Sequence, residues 1–397
     1  MSPVRTALPR TVVVLGLVSL LNDSASEMIT PLLPIFLTAT LGAGPAIVGL
    51  VEGLAEATAS ILKLVSGRLA DRGVPAKSLV LGGYTLSNVM RPPIGLAVGW
   101  TSVLLLRFLD RVGKGIRTAP RDALIAAAAG PEQRGRAFGF HRSMDHAGSV
   151  IGPLLAFGLL SAHADLEHVF LASAVPGVLV LLLLYVGVPA SQATVLPAPA
   201  RFSWGALHGR LKAMIVAAGL LALASVPEVF VVLWARQAGL EVVWVPLVWA
   251  AASVAKMIIA MPAGILSDRV GRLPLLLGGW LMRVIVLLLL AFADPGSAGV
   301  WLLFIAYSAT LAVTEPAERS VIGDHAAAEE RGTAFGLYHL ASGLLVLPGA
   351  LLFGVIWEHY GSGAAFAISA SVTAAAAALM LALAAGGRSG PVVVPRA

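Results

Sequence analysis

The 397-residue chain is 58% hydrophobic and only 12% charged, with a mean hydropathy of +0.89, whereas a soluble globular domain carries about 25% charged residues. That composition excludes a soluble enzyme, a disordered chain and a nucleic-acid binder, and the formal charge of +6 with pI near 10 points to basic loops on the cytoplasmic side of a membrane. With no cysteine, disulfides, thiolate metal sites and CxxC haem attachment are excluded.

A spanning helix needs roughly 20 apolar residues. The hydropathy pattern predicts twelve, at about 11–40, 45–66, 77–98, 102–128, 137–161, 169–188, 213–235, 243–266, 274–292, 300–325, 333–357 and 363–385. The first is expected to be retained rather than cleaved as a leader, because it lacks a small-residue cleavage site and carries Asp23 and Glu27. These carboxylates fall four residues apart on one helix face, below Pro31 and Pro34. The second helix aligns Glu52, Glu56 and Lys63.

The fourth helix, RFLDRVGKGIRTAPRDALI, gathers Arg107, Asp110, Arg111, Lys114, Arg117, Arg121 and Asp122 within an arc of about 140°. Such a stripe at membrane depth lines a cavity or a charged interface. The fifth helix places His141, Asp145, Gly148 and Gly152 on one face, with Arg142 and His146 beside it. A linker at 191–212, rich in Pro and Ala, separates a six-helix unit at 1–190 from a second at 213–387, and a tail follows at 388–397. Embedded charges are sparser in the second unit, where Glu228, Trp234, Lys256, Glu315, Glu318 and Arg319 form the opposite wall of the cavity.

With the N-terminus inside, fifteen of the 27 Lys/Arg fall on cytoplasmic segments and only Arg236 on the opposite loops, which predicts both termini in the cytoplasm. The remaining eleven, with eleven of the 21 Asp/Glu, lie inside predicted helices. Facing lipid, these 22 charges would cost on the order of 60 kcal/mol, far above any folding stability. They must face one another or water. A carboxylate that exchanges an arginine partner for a proton or a substrate makes a coupling device, and Asp23, Glu27, Asp110 and Asp145 are the candidates. The competing expectation for each is a permanent buried ion pair.

Two motifs recur at one offset. GRLADRG at 67–73 is matched by GILSDRVGR at 264–272, and QRGRAFGFH at 133–141 by ERGTAFGLY at 330–338, both 197 residues later. Two matches at one offset indicate duplicated six-helix units with a site between them. The spacing of His141, Asp145 and His146 suits metal ligands, but Arg142 adjoins them and no metal or cofactor is expected. GKG at 113–115 is not a Walker loop. Arg121–Asp122 and His141–Asp145 could act as acid–base pairs of an embedded enzyme or lipid-handling protein, but no nucleophile elbow accompanies them.

With two six-helix repeats and these loops, the chain resembles the major facilitator superfamily across nearly its whole length. The resemblance implies an all-α membrane protein of twelve transmembrane helices in two pseudo-symmetric bundles. It implies no enzyme. Gly264, Asp268, Arg269, Gly271 and Arg272 match the family's loop after the eighth helix. Gly67, Asp71 and Arg72 match the copy after the second, which is one residue short before Gly73. In the family this loop latches the cytoplasmic side. Arg107, Gly113 and Gly115 match the fourth-helix pattern, with Asp110 and Arg111 in place of the usual Gln and Gly. GSVIGP, through Gly148, Gly152 and Pro153, resembles the fifth-helix element of antiporter branches. A proton-coupled exporter of a polar or anionic molecule or drug is therefore expected, with proton-coupled uptake of an organic anion as the alternative. Its partners are the lipid bilayer, a small-molecule substrate and protons, and it acts as a monomer in a prokaryotic inner membrane.

Overall fold

The computed structural model describes residues 7–188, 216, 219–325 and 331–386. The linker and tail expected at 191–212 and 388–397 lie outside the described residues, as do the side chains of Asp71 and Arg319.

The described regular structure is helical. It runs through α1 (Arg10–Ile29), a short α2 (Leu33–Ile35) with a π-turn at Phe36–Thr40, α3 (Pro45–Asp71), and α4 (Ala76–Met90) with a 3-10 turn at Pro92–Leu96. It continues through α5 (Trp100–Ser161), α6 (Leu166–Ala172), α7 (Ala174–Gly187), α8 (219–224) and α9 (Glu228–Gln237). The last four are α10 (Val245–Val270), α11 (Arg272–Phe292), α12 (Ser297–His325) and α13 (Arg331–Gly386). At 1.5 Å per residue the 62 residues of α5 would reach roughly 90 Å, three times a bilayer core. Gly130, at φ 64° and ψ 168°, folds it into two crossings, and Gly361, at φ 87° and ψ 165°, does the same for α13. Only glycine adopts these dihedrals without strain.

With α1–α2, α6–α7 and α8–α9 each forming one crossing, the described residues make twelve. Eight stretches are long and apolar enough to span alone, and the last, Leu340–Ala382, holds two crossings. The third, fourth and fifth crossings fall short. Helix α4 has only 15 residues, and both arms of α5 carry charges. The duplication is also written in the backbone: left-handed residues at Gly42, Gly73 and His163 recur 197 or 198 positions on at Gly239, Gly271 and Gly361.

The first arm of α5 packs between α3 and α4. Ser66 Oγ donates to the Gly115 carbonyl at 2.9 Å, and Ser87 Oγ to the Asp110 carbonyl at 2.8 Å. Asp110 is fully buried. Its Oδ1 accepts from Arg91 Nε at 2.9 Å, and its Oδ2 lies 3.5 Å from Arg107 Nη1 and 3.7 Å from Arg111 Nε. Arg107 Nη2 reaches Glu52 Oε1 of α3 at 3.1 Å. Arg91 Nη1 also donates to Asn22 Oδ1 of α1 at 3.1 Å. Four crossings are thus joined around one carboxylate.

The two halves meet chiefly along α3 and α13 and along α10 and α5. On the face opposite to where α1 begins, one apolar cluster closes the interface. Met28, Ile29, Leu33 and Phe36 of the first half join Phe230, Trp234, Phe353 and Trp357 of the second. Phe230 and Phe353 have ring centroids 4.7 Å apart, and Phe157 meets Trp244 across the halves at 5.6 Å. Toward the terminal face, where α1 begins and α13 ends, no such seal is present among the described residues, and Met261 is 74% exposed.

Asp110→Asn leaves several buried guanidiniums short of a counter-charge and is expected to destabilise the protein by about 3–5 kcal/mol, read as a large drop in melting temperature. A Cβ at Gly148 would lie 2.5 Å from the Leu20 carbonyl, while one at Gly139 meets nothing within 4 Å. Gly148→Ala should therefore cost about 1–3 kcal/mol, and Gly139→Ala should leave the melting temperature unchanged.

Candidate functional site

A cavity of 650 Å³ lies between the halves at mid-depth and runs toward the terminal face. Its first-half wall is Asp23 and Glu27 of α1 with Arg142, Asp145, His146 and Ser149 of α5. Its second-half wall is Glu228, Trp249, Ser253, Lys256 and Glu315, completed by Ala260, Met261, Leu311 and Ala312.

The local sequence explains how the carboxylates come to face it. Gly148 and Gly152 bring α5 against the α1 backbone at Leu20 and Ser24, with Asp23 and Glu27 emerging beside the contact. Asp145 is tied to α1 by Ser19 Oγ, which donates to its Oδ1. His141 Nδ1 and Arg142 Nη1 lie 3.5 and 3.9 Å from its Oδ2. Helical dihedrals persist through Pro120 and Pro153, since Gly130 is the sole non-helical point of α5. Pro153 therefore removes one backbone donor without ending the helix.

Glu27 joins the halves: Trp249 Nε1 donates to its Oε2 at 2.9 Å. Asp23 accepts from Asn22 Nδ2 at 3.0 Å. Across the cavity Lys256 Nζ pairs with Glu228 at 2.9 Å and lies 5.9 Å from the Trp249 ring centroid. Ser308 Oγ donates to the same Glu228 at 2.5 Å.

The stripe on the fourth crossing divides in a way its arc did not predict. Arg107 and Arg117 do not line the cavity; they are buried inside the first half, because α3 and α4 embrace this helix from two sides. Arg107 serves Glu52 and Asp110. Arg117 Nη1 donates to Ser87 Oγ at 2.6 Å and stacks 4.3 Å above the Tyr84 ring. Asp110 is likewise enclosed by arginines, away from the cavity lining. Lys114 and Arg111 front the carboxylates: Lys114 is within electrostatic reach of Asp23 and Glu56, and Arg111 of Glu27, Glu52 and Glu56. Arg121 pairs with its neighbour Asp122 at 2.9 Å. A cavity dominated by fourth-helix cations is thus not what the lining presents. Its nearest walls carry five carboxylates, Arg142, Lys256 and one imidazole.

Trp234, expected on the cavity wall, lies in the apolar seal instead. It sits six residues beyond Glu228, about 9 Å further along the helix. Glu318 faces a smaller cavity within the second half, where it accepts from Trp280 Nε1 at 3.3 Å. The loop residues lie at the terminal face. Gly67 sits beside Ala119, Arg72 caps α3, and Gly264, Asp268 and Arg269 lie on the last turns of α10. Gly271 forms the turn at φ 92°, and Arg272 opens α11.

Trp249, Ser253 and Ser149 line the cavity without having been singled out. An indole in an apolar helix reads as core or membrane anchor. The repeat offset held the signal, because position 249 is the counterpart of Glu52, 197 residues earlier.

Residues 15–255 and 230–395 match the family description Major Facilitator Superfamily. The chain is 31% identical over 358 residues to an uncharacterized MFS-type transporter of Methanocaldococcus jannaschii, covering 88% of this chain and 89% of that one. It is 27% identical over 352 residues to the multidrug resistance protein MdtH of Aeromonas hydrophila, covering 87% of each. Among solved structures its fold is similar to that of the nucleoside transporter NupG, with TM-score 0.78 at 14% identity over 94% of this chain and 98% of that one. It is also similar to a bacterial homologue of the human lysosomal transporter Spinster in an inward-facing, unoccupied conformation, with TM-score 0.71 at 17% identity over 97% and 96% of the two chains. With the family description matched in both halves, and a relative above 30% identity aligned over most of both chains, the chain belongs to the major facilitator superfamily.

Proposed function

We propose that this secondary transporter is a proton-coupled exporter of a polar small molecule, working by alternating access. The observation that supports this most is the pair Asp23 and Glu27. Both are carboxylates on one face of α1, both line the cavity between the halves, and Glu27 is hydrogen-bonded to Trp249 of the opposite half. A proton or a cationic group arriving there changes a contact between the halves, and a ligand can shift a conformational equilibrium only by such a differential contact.

Asp145 is a further candidate proton acceptor, held by Ser19 and close to His141. Asp110, enclosed by three guanidiniums, has the surroundings of a permanent ion pair and takes the structural role. The basic loops support a cytoplasmic terminal face, and with the cavity running toward that face the conformation reads as inward-open. In this reading the loops through Gly67–Arg72 and Gly264–Arg272 close that side, and Glu228 paired with Lys256 forms the opposite wall. The family's fifth-helix element and the likeness to a multidrug resistance protein favour export over uptake. The protein works as a monomer in the inner membrane.

The test uses proteoliposomes with an imposed pH gradient and a panel of metabolites and drugs. Substrate flux opposite in direction to proton flux is expected. Asp23→Asn and Glu27→Gln should abolish pH-driven flux while leaving substrate–substrate counterflow in place. Co-directional flux would establish uptake of the symport type instead. Unchanged pH-driven flux in both variants would remove α1 from the coupling.

A further inference from the structure

The second half contains a cavity of its own. It measures 260 Å³ and is walled by Ser225, Arg283, Thr314, Glu318, Tyr338 and Ser342. Leu311 and Glu315 line both it and the central cavity, so the two spaces adjoin.

The duplication explains its origin. Gly83 faces Gly113 and Arg117, and Gly279 faces Val313 and Thr314, which sets α4 and α5 on α11 and α12 at an offset of 196–197 residues. Ser87 then corresponds to Arg283, Arg117 to Thr314, His141 to Tyr338 and Asp145 to Ser342. In the first half Arg117 Nη1 donates to Ser87 Oγ at 2.6 Å; in the second Arg283 Nη2 donates to Thr314 Oγ1 at 2.7 Å. The same guanidinium–hydroxyl bond is kept, with donor and acceptor exchanged between helices. The exchange leaves a threonine where an arginine filled space, and a serine where an aspartate supplied both bulk and negative charge.

What remains is a hole beside a buried cation. Arg283 is 4% exposed, and its Nε has no hydrogen-bond partner among the described residues. Its side-chain hydrogen bond goes to a neutral hydroxyl. A buried charge held this way is costly unless a counter-charge is brought to it. Elsewhere on the same wall Glu318 is fixed as an acceptor, receiving Trp280 Nε1 at 3.3 Å and Tyr338 Oη at 3.5 Å. A fixed cation and a fixed carboxylate, with Ser225 and Ser342 among the lining hydroxyls, complement a molecule that carries both charges. A cavity of 260 Å³ has room for a short amino acid.

We propose that this cavity binds a small zwitterion of amino-acid size, its carboxylate on Arg283 and its ammonium on Glu318, entering from the central cavity past Leu311 and Glu315. Counting that ligand as cargo rests on the exporter reading; the binding site does not.

The test uses the purified full-length chain and a ruler of ω-amino acids: glycine, β-alanine, 4-aminobutyrate and 5-aminovalerate, with butyrate and butylamine as single-charge controls. Thermal stabilisation and calorimetry report binding. One chain length is expected to bind best, and both controls at least about ten-fold more weakly. Ser342→Leu, which fills the cavity and leaves both charged groups in place, should abolish binding with the melting temperature kept. Arg283→Lys, which keeps the charge but loses the guanidinium fork, should weaken it. No binding at any length, equal binding of butyrate, or unchanged binding by Ser342→Leu each overturns the site. None of these results bears on proton exchange at Asp23 and Glu27, and loss of that exchange leaves this binding intact, so the two readings fail separately.

Discussion

An ionised side chain at membrane depth has two ways to exist: against a counter-charge or against water. This chain uses both, and in different places. Asp110 is surrounded by Arg91, Arg107 and Arg111 in the interior of the first half. Asp23 and Glu27 lie one helix away, turned to the cavity between the halves. The first group ties α1, α3, α4 and α5 into one body. The second sets two carboxylates at the space between the halves, one of them bonded to Trp249 of the other half.

The two halves share a backbone plan and differ in chemistry. The first carries its charge inside, in a network with Glu52 and Asn22 at its edges. The second is mostly apolar, with an ion pair at Lys256–Glu228 and an aromatic group of Phe230, Phe353, Trp357 and Phe366 that helps seal the side away from the termini. A body braced by ion pairs and one packed by dispersion can meet along a seam of small residues. Gly49 and Gly53 of α3 lie against Ala350 and Leu347 of α13, so that backbones approach closely without interlocking side chains.

Much of this was legible before any coordinate. Hydropathy placed the crossings, and the 197-residue offset exposed the duplication. The spacing of Asp23 and Glu27 put both on one face, and both reach the cavity. Less was legible wherever the neighbour across a helix mattered. The fourth-helix stripe is real, yet its arc could not tell which residues α3 and α4 would cover, and Arg107 and Arg117 went inward. Trp234 was expected on the wall, but its depth put it in the seal. Trp249 carries no charge and drew no notice, although it holds the hydrogen bond joining the halves.

The division follows from range. Burial of apolar surface and the cost of charge in lipid act on each segment by itself, so composition and periodicity determined the class, the number of crossings and the conclusion that the charges must turn inward. Which charge meets which depends on side chains 55, 126 or 222 positions apart, as in Arg107 with Glu52, Asp145 with Ser19 and Trp249 with Glu27. Those distances are set only when the helices pack. The arginine cage around Asp110, the Trp249–Glu27 contact and the cavity beside Arg283 were therefore decided by the tertiary structure.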